Sequence, residues 1–151
     1  MYHLLVRRRA RRIFQRLSDG DWQPILDGLA ADVRHTYAGD NAVGGTRTSV
    51  AAVRRWFERV FRLFPVFQEE VREVLVRGWP WNTVVAVQWV ARGTSPVNDA
   101  AFVIHGVHVA RFRWGKVTEI QAYPDTEKFS AHLRRLAASG VEEAAAAPIE
   151  G

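Results

Sequence analysis

The sequence predicts an α+β fold in which a cone-shaped, curved antiparallel β-sheet wraps around N-terminal helices and encloses an apolar internal pocket. Two observations predict it. Apolar residues recur every three or four positions in the first part of the chain and alternate from about residue 67 onward. Residues 106–125 then form two alternating runs joined by a Trp114-Gly115-Lys116 turn, and His108 lies there among apolar neighbours, which is typical of a pocket wall.

The composition limits the classes of protein to consider. The chain has 151 residues, of which 48% are hydrophobic, so it can bury the core of one domain. It has no cysteine, which excludes disulfides, thiolate metal sites and a cysteine nucleophile. No apolar run approaches the roughly 18 residues of a membrane span, and no signal peptide is recognisable. We expect a cytoplasmic protein without membrane contacts, with a domain at 1–140 and a C-terminal tail at 141–151 that Pro148-Ile149 could dock.

The net charge of +5 raises the question of nucleic-acid binding. Five arginines cluster between Arg7 and Arg12 in the first helical segment. Elsewhere the basic charge is dispersed. Arg54, Arg55, Arg59 and Arg62 lie on the polar side of a helical segment that also contains Glu58, and no nucleic-acid recognition motif accompanies them. The sequence therefore favours a protein that does not bind nucleic acid.

The N-terminal part reads as helices followed by one strand. The first helix covers about 3–18, because its apolar residues recur on one face and its arginines on the other. Asp21 is in position to cap a second helix over 22–29. A short alternating strand follows at 33–37. The glycine-rich loop 38–45 lacks the Lys-Ser/Thr ending of a phosphate-binding loop.

A third helix is the clearest element. Thr48 or Ser49 can cap it, and it carries one apolar stripe before Pro65 ends it. The alternation after it predicts four strands joined by short turns, and therefore an antiparallel sheet, at about 67–77, 83–92, 100–114 and 117–123. Asp125 or Thr126 caps a last helix that ends near Ser139.

The sheet carries more apolar side chains than one covered face needs. Apolar residues occupy both alternating positions of its strands, and four tryptophans add to them: Trp79, Trp81, Trp89 and Trp114. We therefore expect a homodimer formed through the sheet. The apolar pocket is expected to bind a small apolar molecule.

Two histidines of one strand compete for the pocket. His108 shares its face with Ile104 and Phe112, whereas the row of His105 ends in arginines that prefer water. We therefore predict that His108 faces inward, unless a bulge at Gly106 reverses the order.

The 33–37 strand adds further polar candidates. If Val33 faces inward, so do His35 and Tyr37, and the pocket then holds two imidazoles and a hydroxyl donor. Each of these side chains could equally be a core residue with one satisfied hydrogen bond. A metal site is not expected, since His35 and His108 lie in separate strands without an obvious carboxylate partner.

Other residues are expected to contact a ligand. Trp56 lies off the apolar stripe of its helix, and Asp40 could lean over the pocket mouth or simply form its own turn. The remaining candidates are apolar: Phe57, Phe61, Ile104 and Phe112. The carboxylates Glu69, Glu70 and Glu73 are interpreted as a solvated strand face.

The chain resembles the SnoaL-like branch of the nuclear-transport-factor-2-like superfamily over nearly its whole length. The residues that carry the resemblance are the Gly44-Gly45-Thr-Arg47 approach to a helix with Trp56-Phe57, the Phe64-Pro65 helix end, residues 109–116 and Glu119-Ile-Gln-Ala-Tyr-Pro-Asp125. The resemblance implies an α+β cone with a deep apolar pocket, commonly dimeric. That fold serves polyketide cyclases, ketosteroid isomerases, dehydratases, epoxide hydrolases and proteins with no catalytic role.

Ketosteroid isomerases allow a comparison at the level of residues. Aligning Arg111-Phe112 with the arginine-phenylalanine pair of that family places His108 at its oxyanion-hole aspartate. Tyr37 then falls near its aspartate base, and Ile13 falls at its oxyanion tyrosine. The epoxide hydrolases typically carry an arginine flanked by aspartates, and the strand at 83–92 does not show it.

We therefore expect a small-molecule pocket protein, with cyclase, isomerase or dehydratase chemistry on an apolar carbonyl compound and no cofactor. His108 would act as acid/base or oxyanion donor, with His35 and Tyr37 assisting. The alternative is a non-catalytic ligand-binding or dimeric interaction domain, in which the histidines only orient a ligand or satisfy one another.

Overall fold

The structure, a computed structural model, describes residues 1–151 and combines helices with a single sheet. The helices are α1 (Tyr2–Ser18), α2 (Gln23–Gly28), α3 (Val50–Leu63) and α4 (Thr126–Ala138), and a 3₁₀ turn covers Glu142–Ala145. The strands are β1 (Leu29–Tyr37), β2 (Gly45–Arg47), β3 (Phe67–Trp79), β4 (Asn82–Thr94), β5 (Ala101–Arg113) and β6 (Lys116–Pro124). The sheet order is β2-β1-β6-β5-β4-β3, and the sheet is curved but not closed. The α+β prediction is confirmed.

Two of the predicted helix caps are present and one is absent. The Ser49 side chain accepts from the amide of Ala52 at the start of α3, and the Asp125 side chain accepts from the amide of Lys128 at the start of α4. Asp21 does not cap α2, which has Trp22 before its first turn. The carboxylate of Asp21 instead pairs with Arg16 at 3.2 Å, so the end of α1 uses the side chain that was expected to begin α2.

Strands β3 to β6 form the predicted antiparallel meander, but the edge beside β6 differs from the prediction. β1 starts at Leu29 rather than Val33 and pairs in parallel with β6, with Tyr37 opposite Ala122. β2, in a segment expected to be a simple approach to α3, pairs antiparallel with β1. The sheet is therefore mixed, because a partner distant in sequence joins the meander.

The concave face of the sheet packs on the helices and forms the core. Trp89 belongs to this inner face and is only 1% exposed, so it does not contribute to an apolar surplus on the outer face. The other three tryptophans of that group, Trp79, Trp81 and Trp114, are exposed and cluster at one end of the sheet. No helix is long and apolar enough to cross a membrane.

The C-terminal residues pack back onto α3 and β2. Glu143 accepts from Arg62 at 2.6 Å and from Arg59 at 3.4 Å. Further along, the carbonyl of Ile149 accepts from Arg47, and the carbonyl of Gly151 accepts from the amide of Thr48. These contacts bring the end of the chain close to the buried side of β1.

Candidate functional site

A cavity of about 160 Å³ lies between α1, α3 and the inner face of the sheet. Eight of the predicted site residues line it: His35, Tyr37, Trp56, Phe57, Phe61, Ile104, His108 and Phe112. Asp40 does not line it. Asp40 is exposed, because the loop turns on Asn41, whose side chain accepts from the amide of Val43 and whose carbonyl accepts from that of Gly44.

His108 faces the cavity through a ring that is held on one side. The indole Nε1 of Trp89 donates to Nδ1 of His108 at 2.5 Å, and the ring of Phe14 meets the imidazole edge-on. Since an indole N–H can only donate, Nδ1 is the acceptor and the neutral ring carries its proton on Nε2. Burial lowers the pKa of His108 to about 4, so the ring is neutral at physiological pH. His105 lies on the exposed outer face of the same strand.

Gly106 makes room for the indole that holds His108. Trp89 pairs with Gly106 across β4 and β5, and a Cβ at that glycine would meet the indole ring at 2.3 Å. The register of β4 with β5 is unbroken through this point, so Gly106 does not mark a bulge. Its role is to allow a close approach of the ring to the backbone.

His35 is held in the same way by a buried arginine. Nε of Arg47 donates to Nδ1 of His35 at 2.9 Å, which leaves the proton of the neutral ring on Nε2. Burial, and secondly the charge of Arg47, lower the pKa of His35 well below its usual range. Like His108, His35 is therefore a neutral N–H donor beside the cavity.

Arg47 is fixed by the backbone around it. Its guanidinium donates to the carbonyls of Gly44, Gly45 and Ile149 at 2.7–3.0 Å. It also lies over the ring of Trp56, 5.4 Å from the centroid. Burial lowers the pKa of Arg47 to about 10, which still leaves it charged at neutral pH. Arg47 acts through His35 and is not among the residues that line the cavity.

Tyr37 supplies a third neutral donor. Its ring packs against those of Trp56, Phe129 and His108, and its side chain is buried. Burial, and to a lesser extent the charge of Glu69, raise the pKa of Tyr37 above its ordinary value. The phenol therefore keeps its proton and can donate it to an acceptor in the cavity.

Glu69 is a cavity residue that the sequence interpretation missed. It was assigned to a solvated face together with Glu70 and Glu73, but only those two are exposed. Glu69 lines the cavity, and its Oε2 is buried without a hydrogen-bond partner. Burial raises the pKa of this carboxyl to about 8. The available signal was strand parity, because Glu69 shares its face of the strand with the apolar Phe67 and Val71.

The remaining titratable groups play structural roles or lie apart. His132 is buried between the rings of Phe64 and Phe102, and Nε2 of His3 donates to the carbonyl of Gly78. No three His, Asp or Glu side chains converge in a way that could hold a metal ion. The cavity thus combines an apolar wall with three neutral donors and one unpartnered carboxyl group. Such an arrangement can polarise a ligand oxygen and exchange a proton with it.

Comparison with known proteins places this geometry in a wider context. A family model described as SnoaL-like domain matches residues 10–120. An NTF2-like protein of unknown function from Burkholderia pseudomallei is 23% identical, with a TM-score of 0.69 over 85% of this chain and 94% of that one. PrhC from Penicillium brasilianum is 12% identical, with a TM-score of 0.73 over 89% of each chain.

A third solved structure is TerC, crystallised with polyporic acid. It is 21% identical, with a TM-score of 0.63 over 78% of this chain and 89% of that one. No curated protein sequence matches the chain. At these identities the solved structures establish a shared fold.

Proposed function

Because the chain belongs to the SnoaL-like domain family, we propose that its cavity binds an apolar carbonyl compound and promotes proton transfer next to the carbonyl group. The observation that carries the proposal is the matched setting of the two histidines. Trp89 donates to Nδ1 of His108, and Arg47 donates to Nδ1 of His35. Each histidine therefore keeps its proton on Nε2 and can donate it. Both residues line the same apolar space.

Neutral donors suit an oxygen on which negative charge develops. With a pKa of about 4, His108 is a weak base at neutral pH, so its role is to donate from Nε2. The phenol of Tyr37, whose ring lies 6.2 Å from that of His108, adds a second donor nearby. Donors fixed in a dry site stabilise an oxyanion more strongly than water does. Of the two roles considered for His108, this supports the oxyanion donor.

The size and lining of the cavity fit a ring compound. Its walls are mainly aromatic and aliphatic, including Phe14, Phe57, Phe61, Val87 and Ile104. In other proteins an apolar cavity of about 150 Å³ stays dry and binds benzene. A dry cavity also strengthens each hydrogen bond made to the ligand oxygen. The crystallisation of TerC with polyporic acid supports a cyclic organic ligand for this fold.

Binding of 2-naphthol tests the proposal, because its hydroxyl on a bicyclic ring resembles an enol. We expect quenching of tryptophan fluorescence on binding, and a roughly tenfold loss of affinity for His108→Ala and for Tyr37→Phe, which is one hydrogen bond each. His105→Ala, on the exposed face of the same strand, is the control and should bind as the wild type does. Equal affinities of His108→Ala and His105→Ala for 2-naphthol would refute the assignment of His108 as a donor to the ligand.

We also propose that a second copy of the chain covers the outer face of the sheet. Leu75, Val103 and Tyr123 are exposed there. Charges of both signs accompany them, as in the ion pair of Arg111 with Glu119 at 3.1 Å. A face with apolar and oppositely charged groups can pair with itself about a two-fold axis.

Light scattering coupled to size exclusion tests this pairing. The wild type is expected to elute as a dimer and the double variant Leu75→Glu/Val103→Glu as a folded monomer. Leu4→Glu, which changes an equally exposed leucine on α1, is the control and should stay dimeric. A monomeric wild type at high micromolar concentration would rule out the pairing.

A further inference from the structure

We propose that Glu69 is the catalytic base of the cavity, and that it takes a proton from the carbon next to the carbonyl group of a ring ketone. The inference rests on the proposed function, since it needs the ligand oxygen to lie at Tyr37 and His108. It adds the group that moves the proton, which the three neutral donors do not supply.

The position of Glu69 is fixed by the sheet and by α1. It pairs with Ala91 across β3 and β4, and Ala91 pairs in turn with Ile104, which also lines the cavity. Its backbone amide donates to the Ser18 hydroxyl at the end of α1, at 2.8 Å. The carboxyl group therefore belongs to a rigid strand on the cavity wall, as a catalytic group requires.

A purely structural carboxyl group would be expected to have a partner. An unsatisfied buried polar group costs about 1–3 kcal/mol, and native proteins contain few of them. Two nearby cations could serve, but each is engaged elsewhere. Arg11 donates to the carbonyl of Val71, and Arg92 pairs with the exposed Glu70. Oε2 of Glu69 thus stays unpaired on the wall of an apolar cavity, which is the setting of a group kept for a ligand.

The proton balance of the step is simple. The Glu69 carboxylate removes a proton from the carbon next to the carbonyl, so that the C–H bond breaks and an O–H bond forms on Glu69. The electron pair of the C–H bond becomes a C=C bond, and the carbonyl π pair moves to oxygen, where Tyr37 and His108 donate hydrogen bonds to it. The resulting carboxylic acid then returns the proton to the same or another atom of the ligand. No oxidant or reductant is required.

Glu69 also borders a route for protons to solvent. On its other side lies a polar cleft between α1 and β3, lined by Arg11, Gln15, Gln68, Glu70 and Arg92 as well as Glu69 itself. A carboxyl group between a dry cavity and a wet cleft can exchange its proton with water after each reaction. Burial raises its pKa to about 8, which suits a base that works near neutral to mildly alkaline pH.

The pH dependence of the reaction should follow this carboxyl group. Charged or titratable side chains from five elements border the same two spaces, and they are Arg9, Arg11, His35, Tyr37, Glu70, Arg92 and His108. His35, His108 and Tyr37 stay neutral across the useful range. The rate is therefore expected to rise about tenfold per pH unit and to level off above pH 8.

Hydrogen–deuterium exchange into 2-tetralone tests the assignment. This bicyclic ketone has exchangeable hydrogens next to its carbonyl, and proton NMR in D₂O follows their loss. We expect the wild type to accelerate the exchange and Glu69→Gln to slow it at least a hundredfold. Glu73→Gln, which changes an exposed carboxylate of the same strand that borders neither the cavity nor the cleft, is the control and should match the wild type. The carboxyl ¹³C shift of Glu69 should titrate near pH 8.

The outcomes separate the two proposals. If 2-naphthol does not bind the wild type, the proposed function itself fails. If 2-naphthol and 2-tetralone bind but the wild type does not accelerate exchange, or if Glu69→Gln exchanges within twofold of the wild type, the Glu69 assignment is overturned while the binding site stands. Titration of the Glu69 carboxyl near pH 4 would also overturn it, because it would reveal a partner such as Arg11. If Glu69→Gln still binds 2-naphthol, its cavity is intact, and its slower exchange is due to loss of the base.

Discussion

The indole N–H of Trp89 points at Nδ1 of His108 from 2.5 Å, and this contact decides what the histidine can do. With Nδ1 occupied by a donor, the ring can neither accept a proton easily nor turn over, and Nε2–H is left for the cavity. Trp89, which the sequence analysis counted only among the surplus apolar residues of the sheet, therefore sets the state of His108.

Trp89→Phe should release the tautomer of His108. Phenylalanine keeps an aromatic ring in the space but has no N–H, so the proton of His108 is expected to distribute between Nδ1 and Nε2. Two-bond ¹H–¹⁵N spectra at pH 7 measure this. The wild type should show a single Nε2–H form that protonates only as the pH falls to about 4. A mixture of tautomers already present in the wild type would argue against the contact.

Gly106→Ala should disturb the same hydrogen bond through sterics alone. A Cβ at this position would lie 2.3 Å from the Trp89 ring, so the indole must move and its bond to His108 must weaken. We expect a loss of about 1–3 kcal/mol in the free energy of unfolding, and weaker binding of 2-naphthol. Gly28→Ala is the matched control, since a Cβ there meets only the end of the Arg9 side chain at 3.8 Å. Similar effects of the two variants would count against the steric account.

Arg47→Met should destabilise the protein and also change His35. Loss of the guanidinium leaves three backbone carbonyls and the Nδ1 of His35 without their donor, at a cost of about 3 kcal/mol or more. Urea unfolding measures the cost, and histidine ¹⁵N spectra should show that His35 loses its single tautomer. Arg55→Met, at an exposed position of α3, is expected to change neither. An unchanged His35 spectrum in a folded Arg47→Met protein would contradict the positioning role.

Stability should depend on pH through Glu69. The folded protein holds this proton with a pKa of about 8, against an ordinary value of 4.5, so the folded state binds more protons between these pH values. Stability conferred by the acid form is therefore lost as the pH rises from about 4.5 to 8, by no more than about 5 kcal/mol. Glu69→Gln lacks this proton and should gain stability relative to the wild type across that window.

Three histidines act in the opposite direction within that same range. The pKa values of His35, His108 and His132 are lowered in the folded state, so the unfolded chain takes up protons that the folded rings refuse as the pH falls below about 6.5. They are present in both proteins and cancel in the comparison. Thermal unfolding at several pH values gives the difference. A constant offset between Glu69→Gln and the wild type from pH 5 to 8 would show that the carboxyl does not titrate there.

Local patterns explain the elements that the sequence predicted well. The start of α3 follows from the Ser49 cap and the regular apolar stripe behind it, and strands β3 to β6 follow from strict alternation with short turns. The cap, the apolar stripe and the alternation are formed by residues close together in the sequence, so they can be read from it directly. The family resemblance then predicted how these elements are arranged in the fold.

The missed features depend on contacts between distant residues. A bulge between Val71 and Glu73 shifts the alternation of β3, so that Glu69 faces the cavity while Glu73 faces outward, although the two are four residues apart. Likewise, the donor of His108 lies on another strand, and the donor of His35 lies in the approach to α3, which was not predicted to be a strand. A pattern along the chain cannot reveal such partners, since they exist only once the strands are paired.

The parallel pairing of β1 with β6 joins the beginning of the sheet to its end. Tyr37 meets Ala122, 85 positions further along the chain, and His35 meets Ile120. Closing a loop of that length costs chain entropy before any contact repays it, so such pairings slow folding. During synthesis on a ribosome, the cavity wall that carries His35 and Tyr37 must wait until β6 has emerged. The N-terminal half alone therefore has no binding site to offer, and a ligand can stabilise the protein only after nearly the whole chain is in place.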